Sequence, residues 1–94
     1  MVLLLATNTH LYRGARVSAT GVFPADPGPV RIVFRDGAEI DAELLPGERD
    51  GALVLAMPAH RTAAGQDIAA KRWNIARVEP DAAGETAVLG RRLA

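Results

Sequence analysis

Cysteine is absent from this chain of 94 residues, which excludes disulfides, thiolate metal ligands and thiol nucleophiles. Aromatic residues are scarce, with one tryptophan, one tyrosine and two phenylalanines, so a core must consist mainly of Val, Ile, Leu and Ala. Net charge is zero, and no global field therefore steers nucleic acid or an anionic membrane to the chain. No apolar run approaches the ~20 residues of a membrane span, and residues 1–6 lack the basic leader of a secretory signal. We expect a soluble intracellular protein.

Residues 30–44 carry the clearest pattern, in which two runs alternate apolar and polar residues around an Asp-Gly pair. This pattern is typical of a half-buried β-hairpin. A helix over residues 38–45 is the rival interpretation, because Ile40 and Leu44 are four residues apart and Ala, Glu and Leu favour helices. The Pro-Gly pair that follows would end either element.

The register of this hairpin follows from the rule that residues directly opposite each other share a face. A two-residue loop would set Ile32 opposite Asp41, so that apolar and acidic side chains would share one face of the sheet. A three-residue loop, residues 35–37, sets Ile32 opposite Ile40 and Arg31 opposite Asp41, with a glycine at the left-handed loop position. We predict the three-residue loop, because a slip of one residue would turn the apolar side chains outward.

The remaining chain alternates short strand patterns with turns, as in a sandwich or small barrel. Residues 2–7 are either a first strand or the end of a helix, and the proline-rich residues 24–29 and residues 59–65 are predicted loops. The other predicted strands are residues 15–23, 52–57, 66–69, 71–79 and 85–93. The predicted fold is all-β, a single domain over residues 1–94 that forms an antiparallel β-barrel or sandwich of about six to seven strands.

Residue types that perform catalysis are few and poorly placed. His10 and His60 are far apart in sequence, with no acidic neighbour at metal-ligand spacing, so each is predicted to be a loop histidine. Glu39, Asp41 and Glu43 recur with period two and should form an acidic stripe on the wet face of a strand, where no apolar pocket raises a carboxyl pKa. Glycine-rich phosphate-binding motifs are missing. We therefore predict that the protein is not an enzyme and has no catalytic residue, metal or cofactor.

Charge is unevenly distributed along the chain. Residues 36–50 hold six acids and one arginine, whereas residues 60–78 hold four cations and one acid. These are either two solvated faces or complementary patches that meet between neighbouring copies. The single tryptophan either anchors the core or rim, or stacks on a base while nearby cations contact phosphates. The candidate interaction residues are Arg61, Lys71, Arg72, Trp73 and Arg77.

The C-terminal third carries a further pattern: a glycine turn at Gly65, a short strand, Trp73 with alternating aliphatic residues after it, a Pro-Asp-x-x-Gly turn at residues 80–84, and a last strand. This pattern resembles the end of small phage and prophage head–tail joining proteins. Gly-Val-Phe at residues 21–23, followed by an acidic loop, is similar to a segment near the start of that fold. The resemblance covers residues 15–92.

The resemblance implies a non-catalytic β-barrel that assembles as a ring at the neck of a virion. The implied partners are further copies of the chain and other neck or tail proteins, without a membrane, and the implied location is the cytoplasm of a bacterial host or the virion. Residues 24–29 and 59–65 are the loops expected to carry the contacts. The alternative function is that of an SH3-like or OB-like barrel that binds nucleic acid or a protein partner.

Overall fold

The computed structural model describes residues 2–93, and every regular element in that range is a β-strand. The predicted all-β fold is therefore confirmed. The strands are Val2–Ala6 (β1), Arg16–Thr20 (β2), Gly28–Val33 (β3), Glu39–Pro46 (β4), Leu53–Met57 (β5), His60–Arg61 (β6), Asp67–Ile68 (β7), Lys71–Pro80 (β8) and Gly84–Leu93 (β9).

Seven strands form a closed barrel in the order β1-β2-β9-β8-β5-β4-β3, and β6 and β7 form a separate two-stranded ribbon. Of the two predicted architectures, barrel and sandwich, the structure is the barrel. Six neighbouring pairs in the barrel are antiparallel, but β1 and β3 are parallel and close it. The prediction of a wholly antiparallel sheet is wrong at this one seam, because β2 returns along β1 before β3 comes back on its other side.

The core lies inside the barrel and is mainly aliphatic, as the scarcity of aromatic residues requires. Along β1 to β4 the buried side chains alternate with more exposed ones, for example Val17 and Ala19 on β2 and Val30 and Ile32 on β3, whereas β5 and β9 each contain a run of consecutive buried residues. The largest fully buried side chains are Leu4, Val17, Val30, Ile32, Leu44, Leu55 and Leu89. On β1 to β4, period-two burial places one face of the strand in the core and the other outside.

The hairpin of β3 and β4 has the predicted register. Ile32 lies opposite Ile40 and Arg31 lies opposite Asp41, and Arg31 Nη2 is 3.0 Å from Asp41 Oδ1. Gly37 has a φ of +89°, the left-handed conformation that the three-residue loop requires. The alternative of a helix over residues 38–45 is wrong, because the segment pairs with a strand on each side.

Several predicted boundaries shift. The strand predicted for residues 15–23 ends at Thr20, and β3 begins inside the predicted loop 24–29, at Gly28. Proline is tolerated there because it sits near the start of the strand. The predicted loop 59–65 contains β6, since His60 pairs with Ile68. The strand predicted over residues 71–79 is confirmed as β8, which begins at Lys71 and ends one residue later than predicted, at Pro80.

The turn between β8 and β9 is held by Asp81. Its Oδ1 accepts hydrogen bonds from the backbone N–H groups of Ala83 and Gly84 at 2.9 and 2.8 Å. Its Oδ2 accepts one from the Thr86 hydroxyl, and the Ser18 hydroxyl lies 2.7 Å from that of Thr86. These hydrogen bonds, that from Thr86 above all, lower the pKa of Asp81. The ionised carboxylate thus joins β2, β9 and the turn.

Candidate interaction surfaces

The outer face of β1 is apolar. Leu4 and Ala6 point into the barrel, so Leu3 and Leu5 point outward and remain 51% and 46% exposed. On β3, Arg31 lies beside Leu3 and Val33 lies beside Leu5. We call the pair Leu3 and Leu5 the β1 ridge. Adjacent exposed leucines on a strand that already contributes to the core are not needed to fill it, and they are typical of a contact surface.

An acidic stripe runs beside this ridge, as predicted: Glu39, Asp41 and Glu43 are all exposed on the outer face of β4. Arg31 lies between the stripe and the ridge, with Nη1 3.5 Å from Glu39 Oε1 and its Nε–H donating to Asp41 Oδ1 at 3.1 Å. The hydrogen bond and charge of Asp41 raise the pKa of Arg31 further. On this side the ridge is therefore followed first by Arg31 and then by the acidic stripe.

The five candidate interaction residues do not share one surface. Trp73 lies in the core, opposite Leu55 and only 6% exposed, whereas Arg72 is exposed on the opposite face of β8. Within residues 2–93, the buried Nε1 of Trp73 has no hydrogen-bond partner. An indole in the core cannot offer its face to a base, so Trp73 does not supply the stacking platform on which the nucleic-acid interpretation depends.

Two of the other cations are held in ion pairs within the chain. Arg61 Nε donates to Asp67 Oδ1 at 2.8 Å across the β6–β7 ribbon. Arg77 Nε donates to Glu79 Oε1 at 2.7 Å, and that hydrogen bond above all lowers the pKa of Glu79. These pairs reduce the positive charge that residues 60–78 present to a partner. They are exposed pairs, so they neutralise charge more than they stabilise the fold.

A cleft at one end of the barrel brings together residues that the sequence separates. The C-terminal ends of β1, β3 and β5 and the start of β8 meet at this end. His10, Asp36, His60 and Lys71 line the cleft, which has a volume of about 440 Å³. We call it the end cleft. Sequence reasoning treated the histidines as unrelated loop residues, and no local spacing signals their meeting, because the barrel topology alone creates it.

The floor of the end cleft is apolar and its second histidine is held in place. Phe34 and Met57 are buried beneath it. The ring of His60 stacks on that of Phe34, with 6.3 Å between centroids and 21° between planes. His60 Nδ1 lies 3.0 Å from the carbonyl oxygen of Pro58, to which it can only donate. This contact leaves Nε2 as the ring nitrogen available to a ligand.

Among residues 2–93, no group of three or more His, Cys, Asp or Glu side chains is arranged to hold a metal ion. The same part of the chain contains no helix of the length and hydropathy that crossing a membrane requires. Comparisons of the chain with protein-family models, with curated proteins and with solved structures found no match.

Proposed function

We propose that this protein is a structural component that acts by contact with other protein chains rather than by catalysis. The observation that carries the proposal is the β1 ridge, a pair of half-exposed leucines on the outside of a barrel whose interior is already filled. Full burial of one leucine side chain contributes roughly 1.5–3 kcal/mol, so covering two that are half exposed is worth about that amount in total.

The occupant that suits the ridge is a second copy of the chain. Arg31 and the acidic stripe lie on the same side of the ridge, so each copy offers both charge signs beside an apolar centre. A patch that carries both signs can match itself when two copies meet. An apolar centre with a polar rim is also the usual anatomy of a protein interface.

The resemblance of residues 15–92 to head–tail joining proteins supports a finer proposal. The chain would belong to a phage or prophage neck, where copies form a ring and the ring contacts other neck or tail proteins. Its location would then be the cytoplasm of a bacterial host or the virion. The exposed residues 25–27, between β2 and β3, are a loop of the predicted contact segment 24–29 that could reach such partners.

The test is self-association in solution, measured by sedimentation velocity over a wide range of protein concentration. The wild-type chain should associate as concentration rises, and the double variant Leu3→Ser/Leu5→Ser should remain monomeric. Val22→Ser is the matched control, because Val22 is also an exposed aliphatic residue, at 82%, but lies outside the ridge. Circular dichroism should show the same strand content in all three proteins.

Two outcomes would contradict the proposal. One is a wild-type chain that stays monomeric at every concentration. The other is a double variant that associates as well as the Val22→Ser control, which would place the contact elsewhere. For the finer proposal, glycine replacement of residues 25–27 should leave self-association and folding intact while abolishing incorporation into particles, and normal incorporation would refute a contact at this loop.

A further inference from the structure

We propose that the end cleft binds a small organic anion with an apolar body, of the class of medium-chain carboxylates and alkyl phosphates. The cleft is independent of the β1 ridge, since it opens at the end of the barrel whereas the ridge lies on its side. The ligand site therefore adds a property to the proposed assembly role.

The size and floor of the cleft suit the apolar part of such a ligand. A volume of about 440 Å³ lies within the ~300–1,000 Å³ that is usual for small-molecule sites. Phe34 and Met57 form a buried floor, and the half-buried Ile68 of β7 lines one wall. A short alkyl chain laid on these side chains would lose water contact along most of its length, which favours binding.

The polar groups around the floor include donors and acceptors. Lys71 enters from β8 and His10 from the loop after β1. His60 enters from β6, and because its Nδ1–H donates to the Pro58 carbonyl, Nε2 of the neutral ring is an acceptor. The Thr62 hydroxyl oxygen accepts from the backbone N–H of Gln66 at 3.0 Å, so the hydroxyl hydrogen remains free to donate to a ligand. An ammonium group with a hydroxyl donor on the same cleft is suited to an oxyanion.

One carboxylate also lines the cleft. Asp36 belongs to the β3–β4 loop, where its Oδ1 accepts a hydrogen bond from the backbone N–H of Ala38 at 3.1 Å. This contact holds Asp36 on its own loop, at the exposed rim, while Lys71 is half-buried. The anionic head is therefore expected beside Lys71 and Thr62, away from Asp36, and the body over Phe34.

The experiment is a titration of the ¹⁵N-labelled chain followed by two-dimensional NMR. The probes are octanoate and octyl phosphate. 1-Octanol is the control that has the alkyl chain without the charge, and acetate and inorganic phosphate are the controls that have the anionic group without the long alkyl chain. Saturable shifts at residues 60–71 with either octyl anion, much weaker shifts with octanol, and none with acetate or phosphate are expected. Tighter binding of one octyl anion than of the other identifies the head group.

Two pairs of variants test the position of the ligand. Lys71→Gln should weaken binding about tenfold, the effect of losing one charge-assisted hydrogen bond, whereas Arg91→Gln removes an exposed charge outside the cleft and should not. Ala64→Phe should block the cleft and weaken binding at least as much. Ala63→Phe is its control, because Ala63 is also exposed but does not line the cleft.

The proposal is overturned if neither octyl anion shifts residues around the end cleft, or if octanol binds as well as both. Equal affinities for the Lys71→Gln and Arg91→Gln variants would also overturn it. The same conclusion follows if Ala64→Phe binds as tightly as Ala63→Phe. The spectra of the unliganded variants show whether each is folded, and the Ala64 pair tests the site even if Lys71→Gln unfolds.

Discussion

Replacing Leu4 tests the closure of the barrel. Leu4 is fully buried and lies between two neighbours, Ala19 on β2 and Ile32 on β3. Leucine-to-alanine changes in cores cost roughly 2–5 kcal/mol, depending on how far the surroundings relax. Since Leu4 is held by strands on both sides, relaxation is limited, and we expect Leu4→Ala to lose about 3 kcal/mol of unfolding free energy.

The adjacent residues provide matched controls. Leu3 and Leu5 carry the same side chain on the same strand but are about half exposed. Truncating either one to alanine removes side-chain area that is already partly in water, so we expect a loss below ~1 kcal/mol. For a domain of this size ~1 kcal/mol corresponds to about 4–8 °C in Tm, so Leu4→Ala should melt roughly 12–24 °C lower and the controls within a few degrees of wild type.

The assay is urea unfolding at equilibrium, followed by the fluorescence of the single tryptophan and, independently, by circular dichroism. The difference in unfolding free energy follows from the change in midpoint at constant m. Equal losses for Leu4→Ala and Leu3→Ala would refute the assigned orientation of β1. A larger loss for Leu3→Ala would mean that β1 is shifted by one residue, because such a shift exchanges the two faces of a strand.

Three further predictions concern the β8–β9 hairpin. The fold lowers the pKa of Asp81, so the contribution of its carboxylate to stability is full above about pH 4, near the unfolded pKa, and is lost as pH falls through the lower folded pKa. Asp81→Asn should therefore lower the urea midpoint at pH 7 and make the midpoint decline less steeply in acid. Gly84→Ala should cost roughly 1–3 kcal/mol more than Gly65→Ala in the same assay. Both glycines have a positive φ, but a Cβ at Gly84 would overlap the backbone nitrogen of Gly21, while one at Gly65 meets nothing within 4 Å. Trp73→Ala should lower the free energy of unfolding by about 3–5 kcal/mol. Trp73→Phe should lower it clearly less, because this change also removes the buried indole N–H group, which has no hydrogen-bond partner.

Each of these has a contrary result. If the urea midpoint of Asp81→Asn declines in acid as steeply as that of wild type, the Asp81 carboxylate does not stabilise the turn. Equal losses of unfolding free energy for Gly84→Ala and Gly65→Ala would contradict the close approach of Gly21 and Gly84. For Trp73, emission should be blue-shifted and insensitive to iodide and to single-stranded oligonucleotides. Quenching by oligonucleotides at low salt, lost at high salt, would restore the nucleic-acid interpretation.

The β3–β4 hairpin could be predicted in detail because its determinants are local. Alternation of apolar and polar residues assigns each side chain to a face, and the glycine of the three-residue loop sets the register. Ile32 opposite Ile40 and Arg31 opposite Asp41 follow from these two facts alone. The acidic stripe on β4 was predictable for the same reason, since its residues are the polar, solvent-exposed members of the same alternating pattern.

The β1 ridge and the end cleft were not predictable in this way. Residues 2–6 are wholly apolar, so no alternation distinguishes Leu4 from Leu3 until the neighbours of β1 are known. His10 and His60 belong to segments whose meeting depends on β1, β3, β5 and β8 ending on the same side of the barrel. The pairing of β6 with β7 was hidden by the loop-like composition of residues 59–65.

Composition and local pattern were thus sufficient for an all-β chain with an aliphatic core, for one hairpin with its register and for the turns that separate the strands. Folding in three dimensions was needed to choose a barrel over a sandwich, to pair β1 with β3 in parallel, to bury Trp73 and to assemble the end cleft. Alternation and turn geometry act between residues close in the chain, whereas the choice of which strands become neighbours depends on the packing of the whole core.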